Sequence, residues 1–435
     1  MFEQFMTFLA SLNDNVIWGI PMVVLMIGTG LFLLIVTKGV IFRHFGIVMR
    51  YTTKTLFQKK DKSQQHEGDI SPFQAVCTAL AATVGTGNIV GVALAIATGG
   101  PGAMFWLWLS ALVGMVIKYC EVTLSVAYRT TNEKGELVGG PMYYITRGLG
   151  LKWLAVLFAL FGFIASFGIG ASVQANSLAT GVNSSFGIPL WAIGIVVALL
   201  AALVVIGGIT RIASVTEILV PFMAIFYIVG AIVVLILNAG EIPAAFASIF
   251  HDAFTGTAAN DHPARQGLWG SFEVFFDSIV MCTITGLVIL TSGLWHADPM
   301  MNEGAMSSAA FEQAFTGGQY IVTVGLMLFA FATIIAWYYY GEKCVEYLFK
   351  GKRIAIRLYQ VAYVIMVFVG CVASLDTVWE FADLFNGLMA FPNLIALIGL
   401  SPVIKKLTVD LFSDPDRIRP RGTDFSKLLT FRGKR

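Results

Sequence analysis

An all-α polytopic membrane protein is the fold class this sequence predicts, and three observations carry the prediction. Of its 435 residues, 57% are AVILMFWYC and only 12% are Asp, Glu, Lys or Arg, about half the charged share of an ordinary soluble domain. Its mean hydropathy is +0.79. Its apolar residues gather into ten runs of roughly the twenty residues that a spanning helix needs, at 16–37, 71–97, 101–127, 153–181, 188–207, 211–238, 268–294, 319–348, 354–373 and 377–404. Neither strand alternation nor a soluble domain separates them, so the chain reads as a single transmembrane domain over 1–435.

The elements follow in order. The first run is preceded by Glu3 and Asp14 and is too long for a signal-peptide core, so 16–37 is expected to remain as the first span. Lys38, Arg43, Arg50, Lys54, Lys59, Lys60 and Lys62 then crowd one loop. Basic loops stay cytoplasmic, which puts the N-terminus outside. Loop 128–152 (Arg129, Lys134, Arg147, Lys152) and the link at Arg211 are basic as alternation demands, and 181–188 has no Lys or Arg. Beyond 238 the alternation fails once. Loop 239–267 is acidic on balance and 295–318 has neither Lys nor Arg, so both read as external, yet only span 268–294 joins them. Either 242–259 enters the membrane or an expected span is absent. The later basic loop (Lys343, Lys350, Lys352, Arg353, Arg357) and the basic tail 405–435 then fall inside, giving a cytoplasmic C-terminus.

Composition also excludes functions. A formal charge of +2 with clustered basic residues gives no nucleic-acid surface. Cys77, Cys120, Cys282, Cys344 and Cys371 are odd in number and widely spaced beside apolar runs, which fits small core residues better than disulfides or zinc. The histidines (His44, His66, His251, His262, His296) show no metalloprotease spacing, and no phosphate loop is present. An enzyme is not expected, and no cofactor is expected.

The most informative stretch is Thr83-Val84-Gly85-Thr86-Gly87-Asn88-Ile89-Val90-Gly91, in the middle of the second run. Its glycines and threonines predict a helix broken at bilayer depth, where non-helical backbone is tolerated only if it lines a cavity or is buried in protein. Freed amides can receive a carboxylate and freed carbonyls a cation, as in discontinuous-helix transporters. Gly85, Thr86, Gly87 and Asn88 are therefore candidate substrate ligands, and Asn88 a candidate sodium ligand. The competing explanation is close helix packing through small residues.

Around this stretch the sequence resembles the sodium:alanine (alanine or glycine:cation) symporters. The resemblance rests on Gly85–Gly91, Gly99-Gly100-Pro101-Gly102-Ala103, Gly139-Gly140-Pro141-Met142-Tyr143-Tyr144, Ala165–Gly170 leading into Gln174, and Gly207-Gly208-Ile209. It continues through Arg265-Gln266-Gly267, Tyr339-Tyr340-Gly341-Glu342 and Asn386–Asn393. It implies a leucine-transporter-type inverted-repeat fold plus an extra N-terminal helix. In that scheme 16–37 is the extra helix, 71–238 the first repeat and 268–404 the second. It further implies coupling of sodium entry to uptake of a small neutral amino acid; the lipid bilayer and sodium are the other partners expected, and the chain is expected to be a monomer.

One departure bears on that scheme. The resemblance implies a further stretch of about forty residues, enough for one span and its flanks, between Ala253–Ala259 and Asp261–Gly267, where this sequence has only Asn260. The gap coincides with the parity fault. The absent helix would be the first of the second repeat and the partner of 71–97, so a vacancy beside 85–88 is expected, and a transport-deficient or scaffold protein is the alternative function.

Other candidates are read one by one. Phe167 and Gln174 lie seven apart, two turns of an α-helix, and would share a face. The resemblance puts that face on the substrate. Thr333 and Trp337, at i and i+4, offer a hydroxyl suited to sodium and an indole able to close over a small side chain. Asp277 is an intramembrane carboxylate and hence a candidate cation ligand, expected to face Thr283 and Thr285. Lys118 and Glu121 are spaced to pair on one helix. Asp383, Asn386, Pro392 and Asn393 suggest a second broken helix.

Overall fold

The computed structural model of the chain describes residues 2–46, 49, 70–132, 135, 137–253, 270–296 and 303–413, and each of the ten apolar runs is mainly helical where it is described. After α1 (Phe2–Leu12), α2 (Ile20–Val36) covers the first run. The second run is interrupted: α3 (Pro72–Thr83) and α4 (Val90–Gly99) flank a short non-α stretch. Next come α5 (Ala103–Ala127), α6 (Lys152–Ala165), α7 (Val173–Phe186), α8 (Leu190–Val205) and α9 (Gly208–Leu237). The remainder is α10 (Ile242–Asp252), a π-type stretch Gly270–Met281 leading into α11 (Cys282–Ser292), α12 (Glu303–Ala314), α13 (Gln319–Leu348), α14 (Arg353–Val372), α15 (Leu375–Gly399) and α16 (Ser401–Ser413). Among the described residues, eight continuous helical stretches are long and apolar enough to cross a membrane. The protein is an all-α multi-pass membrane protein.

Local chemistry accounts for the main breaks and starts. Pro72 opens α3 with no amide to waste, and Ser71 caps it reciprocally: its hydroxyl accepts from the Gln74 amide at 3.1 Å while Gln74 Oε1 accepts from the Ser71 amide at 2.9 Å. Loop 128–152 carries a two-residue antiparallel pairing, Thr130–Thr131 with Leu137–Val138, and a short helix, Pro141–Tyr144. The bundle is built around α13, which packs against α3, α6, α7, α9, α12 and α14 and whose Phe329, Ile334 and Ala336 are fully enclosed.

Several expectations change. The run 377–404 is not a broken helix: α15 continues through Pro392, and the chain turns only at Leu400 before α16. Helix α16 also takes 405–413 out of the solvated tail; 414–435 lie outside the described residues. Loop 295–318 contains α12.

The parity fault has a geometric answer. Trp108 Nε1 donates to Thr283 Oγ1 at 2.7 Å and Gly286 abuts Met104. Val274, by contrast, shares a core with Met115, Cys120 and Leu124. The stretch Gly270–Ser292 therefore runs antiparallel to α5. Ala253 lies at the other end of α5, where its carbonyl accepts from Trp106 Nε1 at 2.9 Å. Thus Ala253 and Gly270 sit at opposite ends of α5, and every helix after Gly270 keeps the direction that the later basic loop requires. Of the stretch expected to enter the membrane, 242–252 is a helix laid against the start of α5, its Phe246 and Phe250 rings on Trp108. Residues 254–269, including Asn260, lie outside the described residues.

Candidate functional site

At about 1.5 Å per residue, α3 rises some 18 Å and α4 some 15 Å. The stretch between them falls near the middle of a ~30 Å hydrocarbon core. Helix geometry ends at Val84, and Gly85 is extended, φ −121° and ψ −158°. Gly85 is needed for close approach: a Cβ there would lie 2.9 Å from Thr333 Oγ1 and 3.0 Å from Gln174 Oε1.

A backbone broken inside a bilayer must find partners for its freed groups, and here they come from side chains of distant helices. Thr333 Oγ1 donates to the Ala81 carbonyl at 2.9 Å and Trp337 Nε1 to the Ala82 carbonyl at 3.0 Å. Ser307, on α12, donates to the Ile89 carbonyl at 3.0 Å. On the amide side, Gln174 Oε1 accepts from both the Thr86 amide (3.2 Å) and hydroxyl (3.1 Å), and Asn88 Oδ1 accepts from the Gly85 amide at 3.0 Å.

The other end of Asn88 reaches the π-type stretch. Its Nδ2 donates to the Asp277 carboxylate at 2.6 Å, to the Asp277 carbonyl at 3.1 Å and to Cys282 Sγ at 3.4 Å. Ser278 Oγ donates to the other carboxylate oxygen at 3.2 Å. Gly85–Asn88, Gln174, Asp277, Thr333 and Trp337 therefore form one constellation, drawn from four parts of the chain. It offers amides, carbonyls, two hydroxyls, two carboxamides and one carboxylate along the break, with an indole bonded to the end of α3. Such a set can hold a carboxylate at the amides and a cation at the oxygens.

Phe167 is not brought there. Its ring lies edge-on to Phe163 and tilted against Tyr359 and Tyr363 instead. The reason is that Ser166–Ser172 is π-helical. Turns closed by i→i+5 bonds are wider than α turns, so seven residues no longer complete two turns. The same effect corrects Asp277: Thr283 pairs with Trp108 and Thr285 with the Tyr227 hydroxyl at 2.9 Å, so neither faces the carboxylate. Glu121 accepts from the Asn393 side chain, which in turn accepts from the Tyr144 hydroxyl, a chain across three segments. Among the described residues, Asn88 has close neighbours where the vacancy beside 85–88 is expected. Thr86 and Asn88 are 0% and 3% exposed, with the Asp277 and Cys282 side chains lying against Asn88. Sequence reasoning missed Ser307 and Cys282, which no local motif marks.

The comparisons with known proteins concern the chain as a whole. The family model described as the sodium:alanine symporter family matches residues 3–260 and again 255–417. The chain is similar to the sodium/alanine symporter AgcS of Methanococcus maripaludis, 44% identical over 92% of this chain and 96% of that protein. It is 43% identical to an uncharacterized transporter of Haemophilus influenzae, over 92% of this chain and 95% of the relative. A further relative is the uncharacterized transporter YflA of Bacillus subtilis, 35% identical over 94% of each. The AgcS alignment runs to 443 positions while using 92% of 435 residues, so about forty positions have no counterpart here, roughly a span and its flanks. The two matched blocks of the family model meet at 255–260.

Proposed function

The chain belongs to the sodium:alanine symporter family, and we propose that it carries a small neutral amino acid, alanine or glycine, into the cell together with sodium. Family membership makes it a cation-coupled amino-acid symporter and not an enzyme; alanine or glycine as the cargo and sodium as its coupling ion are our reading. That membership favours transport over a transport-deficient scaffold. The observation that carries the reading is the mid-bilayer break at Gly85–Asn88, whose freed backbone groups are met by Gln174, Thr333 and Trp337 and whose Asn88 side chain is met by Asp277.

In the bound state the amides of Gly85 to Gly87 receive the substrate carboxylate, and the Trp337 indole limits the side chain to a methyl group or hydrogen. Sodium takes Thr333 Oγ1, the Asn88 carboxamide oxygen and the Asp277 carboxylate, hard oxygen donors suited to a hard cation. Occupied in this way, the site exchanges hydrogen bonds within the protein for bonds to cargo, so binding has a small net desolvation cost. We read the fold as a leucine-transporter-type inverted repeat whose second half lacks its first helix. It acts as a monomer, with the N-terminus outside and the C-terminus cytoplasmic. The test is uptake of radiolabelled alanine by proteoliposomes under an inward sodium gradient, with potassium replacing sodium as control. Uptake that ignores sodium rejects the coupling, and uptake of neither alanine nor glycine rejects the substrate class.

A further inference from the structure

At the basic end of α14 the surface changes character abruptly. A groove of about 460 Å³ is lined by Lys352, Arg353, Ile354, Ala355 and Leu358. Two of those residues are large and apolar and stand clear of the protein, Ile354 at 75% and Leu358 at 66% exposure. Lys350 adds a further exposed cation from the preceding turn, where it adopts a left-handed conformation, φ 50°. Arg357 stands one turn beyond Arg353 on the same side of the helix, also exposed. The first turn of α14 contains no acidic residue and no side chain caps it. Among the described residues no carboxylate forms an ion pair with any of these four cations; the nearby Glu346 is taken by Lys343 at 2.7 Å.

Charge and apolarity are thus arranged end to end. Lys352 and Arg353 line the membrane-surface end of the groove, with Lys350 and Arg357 exposed nearby in the chain, and the apolar stripe of α14 continues from it through the exposed Val361 and Ile365. We propose that this is a binding site for one anionic phospholipid. Its phosphate lies among Lys350, Lys352, Arg353 and Arg357, and one acyl chain lies against Ile354 and Leu358. Soluble anions would satisfy the cations but leave the apolar groove uncovered, and a zwitterionic lipid would fill the groove but bring no net charge. An anionic lipid satisfies both, since basic clusters at the end of a spanning helix attract such headgroups. The site is remote in sequence from the Gly85–Asn88 constellation and does not depend on the transport reading.

Native mass spectrometry of the full chain in detergent tests this, with phosphatidylglycerol and phosphatidylcholine titrated separately. The expected result is at least about tenfold preferential retention of phosphatidylglycerol, falling roughly fivefold for each of these cations replaced. Lys352→Gln with Arg353→Gln should therefore remove most of the preference, and Ile354→Ala with Leu358→Ala should weaken retention without changing the preference. Lys405→Gln with Lys406→Gln, exposed cations elsewhere, is the control and should change neither. Equal loss in that control would show a diffuse positive surface and overturn the site. Full displacement of phosphatidylglycerol by millimolar inorganic phosphate would also overturn it, because the anion alone would then be the ligand.

Discussion

Asn88 donates to Asp277 and accepts from the Gly85 amide at once, so its carboxamide joins the break in one helix to the carboxylate of another. The partner lies 189 positions away, and no spacing rule in the sequence connects them. What the sequence does disclose is that both are polar groups at bilayer depth, where each must find a partner. Asn88→Ala removes both bonds, and each group orphaned in a buried site costs about 1–3 kcal/mol. The expected outcome is loss of sodium-dependent alanine binding with membrane expression retained, measured by equilibrium binding on purified protein with and without sodium; unchanged binding would remove Asn88 from the site. Thr333→Val keeps the shape and deletes the hydroxyl that now reaches Ala81. A hydrogen bond worth about 0.5–1.5 kcal/mol predicts a roughly two- to tenfold rise in the sodium concentration for half-maximal uptake. An unaltered sodium dependence would leave Thr333 as a tie between α13 and α3 only.

Helix existence was legible because runs of apolar residues long enough to cross a bilayer have few other readings. Helix winding was not. The π-type stretches Ser166–Ser172 and Gly270–Met281 shift every residue after them to another face. For that reason Gln174 reaches Thr86 while Phe167 turns to Tyr359 and Tyr363. Nor does Pro392 interrupt α15; neighbouring side chains at membrane depth can compensate a missing amide. Packing of the first π-type stretch on α13 depends on Gly170, where a Cβ would come within 2.5 Å of Trp337 Cβ and 2.8 Å of its Cγ. Gly170→Val must push the indole aside and strain its bond to Ala82. Overpacking of this kind costs about 1–3 kcal/mol, so the melting temperature in detergent should fall by several degrees. Gly28→Ala, on α2 where a Cβ would meet nothing within 4 Å, should leave it unchanged. Equal melting of the two variants would mean that the π-type stretch yields freely.

At the scale of the molecule, the alternation of basic loops is irregular near residue 260, and the antiparallel course of Gly270–Ser292 along α5 shows how the later helices keep their direction. All five native cysteines are buried, so single exposed cysteines report sidedness in the wild-type background. His296→Cys should label with an impermeant maleimide on intact cells, and Lys350→Cys only after permeabilisation; the reverse pattern would mean that everything after the junction is inverted. The junction itself makes the last prediction. Residues 254–269 connect opposite ends of α5 in 17 Cα steps, which extended reach more than 50 Å but as one helix rise only about 25 Å, less than a ~30 Å hydrocarbon core. The connection is therefore long enough to close the chain and too short to supply a full spanning helix of its own. In the resemblance that absent helix faces Gly85–Asn88, a place where Asp277 and Cys282 now meet Asn88. Those contacts must separate for cargo to enter, with no second broken helix to replace them. Inserting at Asn260 the stretch of about forty residues that the resemblance implies there should therefore raise sodium-driven alanine uptake in proteoliposomes by at least about tenfold, the equivalent of recovering ~1.4 kcal/mol in the rate-limiting step. The sodium requirement should stay the same in both forms. Equal uptake with and without the insertion would show that Asp277 and its neighbours already complete the site without it.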